Sequence, residues 1–174
     1  MIYVTVGSAE KGAEFDRLIK KIDVIAKNFS EGIIMQLGSS SYIPKNVKYF
    51  NYCSYEESLS FFKKANLVIG HCGSGTIINA LSFNTPLIVI PRRISYGELD
   101  TDDHQLELAK KLEKTNYKII VVHSIDNLEG AIKEILKNHN DKIDKNSGEG
   151  SIFRKENLIQ TIKIFIKSVK ENKI

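Results

Sequence analysis

Ile69-Gly70-His71-Cys72-Gly73-Ser74-Gly75-Thr76-Ile77-Ile78-Asn79-Ala80-Leu81 is the stretch on which the fold turns. An apolar run at Leu67–Ile69 enters three glycines within six residues, and Ile77, Ile78, Ala80 and Leu81 then continue at helical spacing. A buried strand that passes through a glycine-rich turn directly into a helix is the repeating unit of parallel α/β sheets. Glycine lets backbone N–H groups come close to an anion, and the start of a helix supplies unpaired donors and a partial positive charge. Ser74 and Thr76 add hydroxyl donors. The stretch is neither a Walker loop nor G-x-G-x-x-G, so from these residues alone phosphate binding and a tight turn without a ligand stand level.

The same alternation extends in both directions. The pattern predicts strands at Ile2–Val6, Ile33–Leu37, Val47–Tyr49, Leu67–Ile69, Leu87–Ile90 and Ile119–Val122, each short and bounded by Gly, Pro, Asn or Ser. Helical patterns fall near 13–28, 56–65, 75–83, 103–114 and 126–138. Ser54 with Glu57 reads as a capping box for the second helix, and Ser124 as an N-cap for the fifth. The fold class is therefore α/β, a Rossmann-like parallel sheet with helices on both faces, joined by right-handed crossovers. Ligands of such sheets sit beyond the carboxyl ends of the strands, which points to the loops 7–12, 38–44, 51–55, 70–76, 91–102 and 123–124. Domain limits follow: a Rossmann-like ligand-binding domain over 1–137, a polar linker over 138–150, and a C-terminal amphipathic helix over 151–174.

Composition narrows the class. The chain has 174 residues, 42% apolar and 26% charged, as ordinary globular domains have. No apolar run approaches the roughly 18 residues that cross a bilayer, and the first residues read as a strand rather than a signal peptide. Cys53 and Cys72 fit a reduced cytosolic setting better than a disulfide scaffold. His71 and Cys72 are adjacent rather than spaced, so no zinc pattern appears, and no Ser/His/Asp or Cys/His set is legible. The net charge is +4, and residues 151–174 carry all of it, with six basic groups against two acidic ones. Without basic clusters interleaved with aromatics this is not a nucleic-acid signature; a membrane-proximal surface or acidic partner fits a one-ended bias better. On a helix from 155 to 171, Leu158, Ile162, Phe165 and Val169 form one stripe, which either packs on the chain's own sheet or docks on a partner.

Two further loops face the expected crevice. Gly7 and Ser8 follow the first strand, although an ordinary β-α turn looks similar. The long segment Pro91–Gln105 leaves a buried strand and ends in a helix start carrying Asp102, Asp103, His104 and Gln105. The two aspartates read as helix-capping charge. His104 and Gln105 could offer hydrogen bonds to a ligand, and Arg92 and Arg93 could neutralise a diphosphate, with a solvated charge as the competing reading for at least one of them.

Val4-Thr5-Val6-Gly7-Ser8, Phe15-Asp16-Arg17-Leu18, Gly70–Thr76, Pro86–Arg92 and Asp103–Ala109 occur in one order. That order resembles the C-terminal domain of family 28 glycosyltransferases over about residues 1–122. The likeness is greatest to small soluble subunits of two-part enzymes. Among these are the catalytic subunit of the dolichol-linked N-acetylglucosamine transferase and PssE-like subunits that build bacterial capsules and exopolysaccharides. The resemblance implies half of a GT-B fold that binds a UDP-sugar, with inversion at the anomeric carbon, the UDP-sugar being the substrate and no cofactor or metal being called for. It implies a membrane-associated acceptor-binding glycosyltransferase subunit as partner and a lipid-linked sugar as acceptor. The chain would then sit in the cytoplasm, peripheral at the inner face of the membrane.

At residue level the resemblance implies that Gly73, Ser74, Gly75 and Thr76 hold the diphosphate, with Gly7 and Ser8 beside them. Tyr52, Cys53 and Tyr55 would lie near the uracil. His104 and Gln105 would contact the sugar, and Arg92 and His104 would form the catalytic region, Arg92 stabilising the departing UDP. Asn79 stands where many relatives carry a glutamate that holds the ribose hydroxyls. A neutral amide there opens the alternative of a non-catalytic regulatory or stabilising subunit. A dehydrogenase-type nucleotide module would need G-x-G-x-x-G after the first strand, which Gly7–Gly12 does not supply. Without its partner, an exposed apolar face could pair the chain with itself as a homodimer.

Overall fold

In the computed structural model, residues 1–7, 14–99, 102–114 and 118–140 are described, the last three without side chains. Six parallel strands make one sheet: β1 (Ile2–Thr5), β2 (Ile33–Gln36), β3 (Lys48–Phe50), β4 (Leu67–His71), β5 (Leu87–Ile90) and β6 (Ile119–Val121). Five α-helices connect and follow them: α1 (Asp16–Ile25), α2 (Tyr55–Lys64), α3 (Ser74–Ser82), α4 (His104–Leu112) and α5 (Leu128–Asn140). The sheet order is β3-β2-β1-β4-β5-β6, with Ile2 of β1 paired to Ile33 on one side and Leu67 on the other.

Strand alternation sends side chains into two cores, which is why the strands are apolar on both faces. Ile2, Val4, Leu67, Ile69, Ile88 and Ile90 pack with Leu18, Ile19 and Ile22 of α1 and Leu128 and Ile132 of α5. On the opposite face Tyr3, Val68, Leu87 and Val89 pack with Phe62 of α2, Ile77 and Ala80 of α3, and Leu108 and Ala109 of α4. Each fully buried Val, Leu or Ile among them contributes about 1.5–3 kcal/mol. Chain order reverses between β1 and β4, and the crevice that ligands use in open α/β sheets lies at that reversal.

The six predicted strands and the five helices predicted up to residue 138 are present, with small shifts at their ends. β4 runs two residues past Ile69 because Gly70 and His71 keep register with Val89 and Ile90. Ser124 heads a 3-10 turn at Ile125–Asn127 rather than α5 itself, and its side chain makes no cap bond. α5 continues through Asn140, so it takes in the first three residues of the stretch expected to be a linker. The remainder of that stretch and the expected C-terminal helix lie outside the described residues. Among the described residues no helix is long and apolar enough to cross a membrane.

One buried carboxylate organises the approach to β3. Asp23 is 2% exposed and accepts hydrogen bonds from the Tyr42 hydroxyl (2.7 Å) and the backbone N–H groups of Lys45 (2.9 Å) and Asn46 (2.7 Å). Burial pushes its pKa up, but the bonds from Asn46, Tyr42 and Lys45 outweigh it and hold the carboxyl below its usual range.

Candidate functional site

A cleft of about 370 Å³ opens at the carboxyl ends of β1, β2 and β4, between the N-terminal ends of α2 and α3. Its lining includes Gly7, Cys53, Tyr55, His71, Gly75, Thr76 and Asn79. Thr5 and Gln36 form part of its base, and they are linked: the Thr5 hydroxyl donates to Gln36 Oε1 at 2.7 Å, and the Gly7 N–H donates to the Thr5 hydroxyl at 3.2 Å. Polar side chains at the ends of otherwise apolar strands mark where the sheet meets the cleft.

The three glycines of the turn have three different reasons. A Cβ on Gly70 would stand 2.9 Å from the Thr5 carbonyl oxygen across the ladder. On Gly73 it would stand 2.3 Å from His71 Nε2, so this glycine makes room for the imidazole. Gly7, with φ +75°, makes room for the same ring from the other side. Gly75 differs: a Cβ there would meet no protein atom, and the residue faces the cleft. Gly73 is the N-cap of α3 in an extended conformation; no side chain caps this helix, and its first turn holds no acidic residue. Among the described residues, the backbone donors of that turn therefore face the cleft without a side-chain cap.

His71 was no part of the expected ligand set, yet it stands at the centre of the turn. Its enclosure pushes its pKa down to about 3, the charges of Arg92 and His104 push the same way, and a hydrogen bond with the Thr5 backbone opposes them. The ring is neutral at physiological pH and its Nδ1 lies 3.5 Å from the Thr76 hydroxyl. A neutral imidazole has one N–H, and the bond to the Thr5 carbonyl uses it, so the ring shapes the turn without bringing charge to the cleft. The only sign of it in the sequence was its place between Gly70 and Gly73.

Across the cleft, Ser54 and Glu57 close the predicted capping box on α2: the Ser54 hydroxyl accepts from Glu57 N–H at 3.2 Å and Glu57 accepts from Ser54 N–H at 2.9 Å. Tyr55 is exposed and its hydroxyl lies 3.4 Å from Asn79 Oδ1. Tyr52 is exposed too but does not line the cleft. Cys53 does line it, and burial and then the Glu57 charge push its thiol pKa up, so it is not a thiolate. Ser8 lies outside the described residues.

The loop after β5 departs from expectation. Arg92 is 4% exposed; its guanidinium donates to the Val6 carbonyl at 2.6 Å and lies over the Phe15 ring, and its Nε has no hydrogen-bond partner among the described residues. Gln105 is equally buried and its Oε1 accepts from the Arg92 N–H at 3.1 Å. Arg92, Gln105 and His104 do not line the cleft, and Arg92 reaches it only through its field, as its effect on His71 shows. The reason is a cluster that sequence spacing did not reveal. Arg17 on α1 pairs with the buried Glu98 at 2.9 and 3.0 Å, and Glu98 also accepts the Arg93 N–H, so the loop folds inward. Asp103 accepts from Ile94 N–H instead of capping α4, while Asp102 binds His104 through both its backbone N–H and its Nδ1. Arg92 is buried, and Arg93 is half-buried with its guanidinium donating to the His123 carbonyl at 3.4 Å.

The sequence profile of the glycosyltransferase family 28 C-terminal domain matches residues 1–162. The chain belongs to this family. It is 32% identical over 127 residues to the human UDP-N-acetylglucosamine transferase subunit ALG13, covering 67% of this chain and 10% of that protein. It is 26% identical over 152 residues to the Trichodesmium erythraeum UDP-N-acetylglucosamine--N-acetylmuramyl-(pentapeptide) pyrophosphoryl-undecaprenol N-acetylglucosamine transferase, covering 84% of this chain and 39% of that one. The chain thus spans well under half the length of either curated relative. Among solved structures, Acinetobacter baumannii MurG aligns with a TM-score of 0.56 at 18% identity, over 80% of this chain and 41% of that one. The fold is a Rossmann-like half of a GT-B architecture.

Proposed function

We propose that this chain is the UDP-sugar-binding catalytic subunit of a split inverting glycosyltransferase, active with a second subunit that binds the acceptor. The observation that carries the reading is the uncapped N-terminus of α3, which opens beside neutral His71 into the cleft at the reversal of strand order. The diphosphate rests on the backbone donors of Ser74, Gly75 and Thr76, and the base lies toward Tyr55 and Cys53. An acceptor hydroxyl attacks the anomeric carbon from the face opposite UDP, the bond from that carbon to the phosphate oxygen breaks, and UDP leaves with the electron pair. The helix terminus, assisted by the Arg92 field, stabilises the charge that develops on UDP. The proton of the acceptor hydroxyl passes to a base on the acceptor-binding subunit. The names of the relatives favour N-acetylglucosamine as the sugar and a lipid-linked acceptor, for glycan or polysaccharide synthesis at the cytoplasmic face of a membrane.

Titration calorimetry of the full chain with UDP and UDP-N-acetylglucosamine tests this reading, and saturable binding of both is expected. The burial of Arg92 and Gln105, with Asn79 in the cleft, favours a second reading in which the chain is a non-catalytic stabilising subunit. A folded chain that binds neither nucleotide, yet still raises the activity of its partner, would establish that alternative.

A further inference from the structure

The walls of the cleft carry a consequence for nucleotide choice, resting on the donor-site reading above. The uncapped start of α3 fixes the diphosphate near Gly75 and Thr76. Tyr55, at the first position of α2, offers its ring across the cleft. Asn79 lies one turn further along α3 and within 3.4 Å of the Tyr55 hydroxyl. A nucleoside diphosphate with its phosphates on the helix terminus and its base toward Tyr55 therefore lays its pentose against Asn79.

Among the described residues, what the pentose meets there is neutral. A vicinal diol is held most strongly by a carboxylate, which accepts from both hydroxyls with charge assistance. Among the described residues that line the cleft there is no aspartate or glutamate. Glu57, the acid beside it, is engaged by Ser54 in the capping box. Gln36 Oε1 already accepts from the Tyr3 and Thr5 hydroxyls. Asn79 remains, and its amide oxygen is shared with the Tyr55 hydroxyl. A neutral amide that exchanges water for one ribose hydroxyl gains little net free energy.

We infer that the cleft discriminates weakly at the ribose 2′ position, so that 2′-deoxyribonucleoside diphosphates are accepted alongside ribonucleoside diphosphates, with Asn79 as the residue that sets this tolerance. UDP and 2′-deoxy-UDP, which differ in that hydroxyl alone, are titrated calorimetrically into the full chain and into Asn79→Glu. The wild-type chain should bind 2′-deoxy-UDP less than fivefold more weakly than UDP; a difference of fivefold or more overturns the inference while leaving the donor site standing. Asn79→Glu should widen the ratio, and a folded Asn79→Glu chain with an unchanged ratio would take residue 79 away from the pentose and overturn it as well. Binding of neither nucleotide to the wild-type chain would remove the donor-site reading itself.

Discussion

α2 and α3 both start at the cleft, and they treat their first turns in opposite ways. α2 has Ser54 and Glu57 locked reciprocally across its N-terminus, Glu56 and Glu57 in its first turn, and Lys63 and Lys64 in its last. Every feature complements its own dipole. α3 has a glycine N-cap, no side-chain cap bond, no acid in its first turn and no base in its last. The two helices are close in length, so the difference is one of purpose rather than size. A helix whose first turn is capped and flanked by its own acidic side chains has little to offer an anion. One that leaves the terminus bare, facing a cleft, keeps its donors for a ligand that arrives later.

The largest effect should come from closing the bare terminus. Gly75→Val places its side chain in space no protein atom occupies, so the fold is expected to survive while UDP affinity falls by about 100-fold or more, roughly 2.7 kcal/mol. Gly75→Ala sharpens the point, since alanine in a helix is favoured over glycine by about 1 kcal/mol. It should raise stability in denaturant unfolding while lowering affinity. A folded Gly75→Val chain that binds UDP like the wild type would mean that α3 serves no diphosphate. Gly73→Ala is the contrasting control: its Cβ meets His71 at 2.3 Å, so stability and affinity should drop together.

Whether the sequence could have shown this differs from element to element. The six strands and five helices were legible because apolar strands and amphipathic helices differ in period, and the Ser54–Glu57 box was legible because its geometry is local. The glycine turn was legible as a candidate phosphate site, but the separate duties of Gly70, Gly73 and Gly75 were not. Those depend on Thr5 and His71, which approach only once β1 and β4 pair. The surroundings of Arg92 were hidden for the same reason. An arginine after a strand reads as a ligand for phosphate, and only the distant Arg17–Glu98 pair and the Val6 carbonyl turn its loop inward. Thr5 and Gln36 left a signal that could have been used: polar side chains late in buried strands, at the end where ligands bind.

An intermediate effect is expected at the self-satisfied terminus. Ser54→Ala removes one half of the capping box and should cost about 1 kcal/mol of stability, with UDP affinity changed less than about twofold. The Ser54 backbone and side-chain bonds hold the Glu57 carboxyl below its ordinary range. A carboxyl with a depressed folded pKa contributes stability above its unfolded pKa and loses it as pH falls through the folded value. The stability gap between wild type and Ser54→Ala, read from urea unfolding, should therefore shrink below about pH 4. A large loss of affinity without loss of stability would reverse the roles of the two helices.

The smallest effect is a predicted absence, and it tests how the bare terminus selects its ligand. His71 stands at the start of the α3 turn with a pKa of about 3, lowered first by enclosure and then by the Arg92 and His104 charges. In the unfolded chain the same imidazole titrates near its ordinary value of 6.5. Between those values the unfolded state binds more protons, so stability falls as pH is lowered from about 6.5 toward 3. The folded ring, however, stays neutral throughout. A UDP-sugar, whose diphosphate is esterified at both ends, keeps its charge over the same range. Its affinity should then show no rise attributable to His71 between about pH 8 and pH 5.5, even as melting temperature declines. Titration calorimetry across that range, on wild type and His71→Gln, separates this ring from the exposed His104. If affinity instead rose several-fold through pH 6.5 in the wild type and stayed flat in His71→Gln, the ring would be binding the diphosphate as a cation. The bare terminus would then owe its selectivity to a charge switched on by the ligand, rather than to neutral donors fixed in advance by the turn.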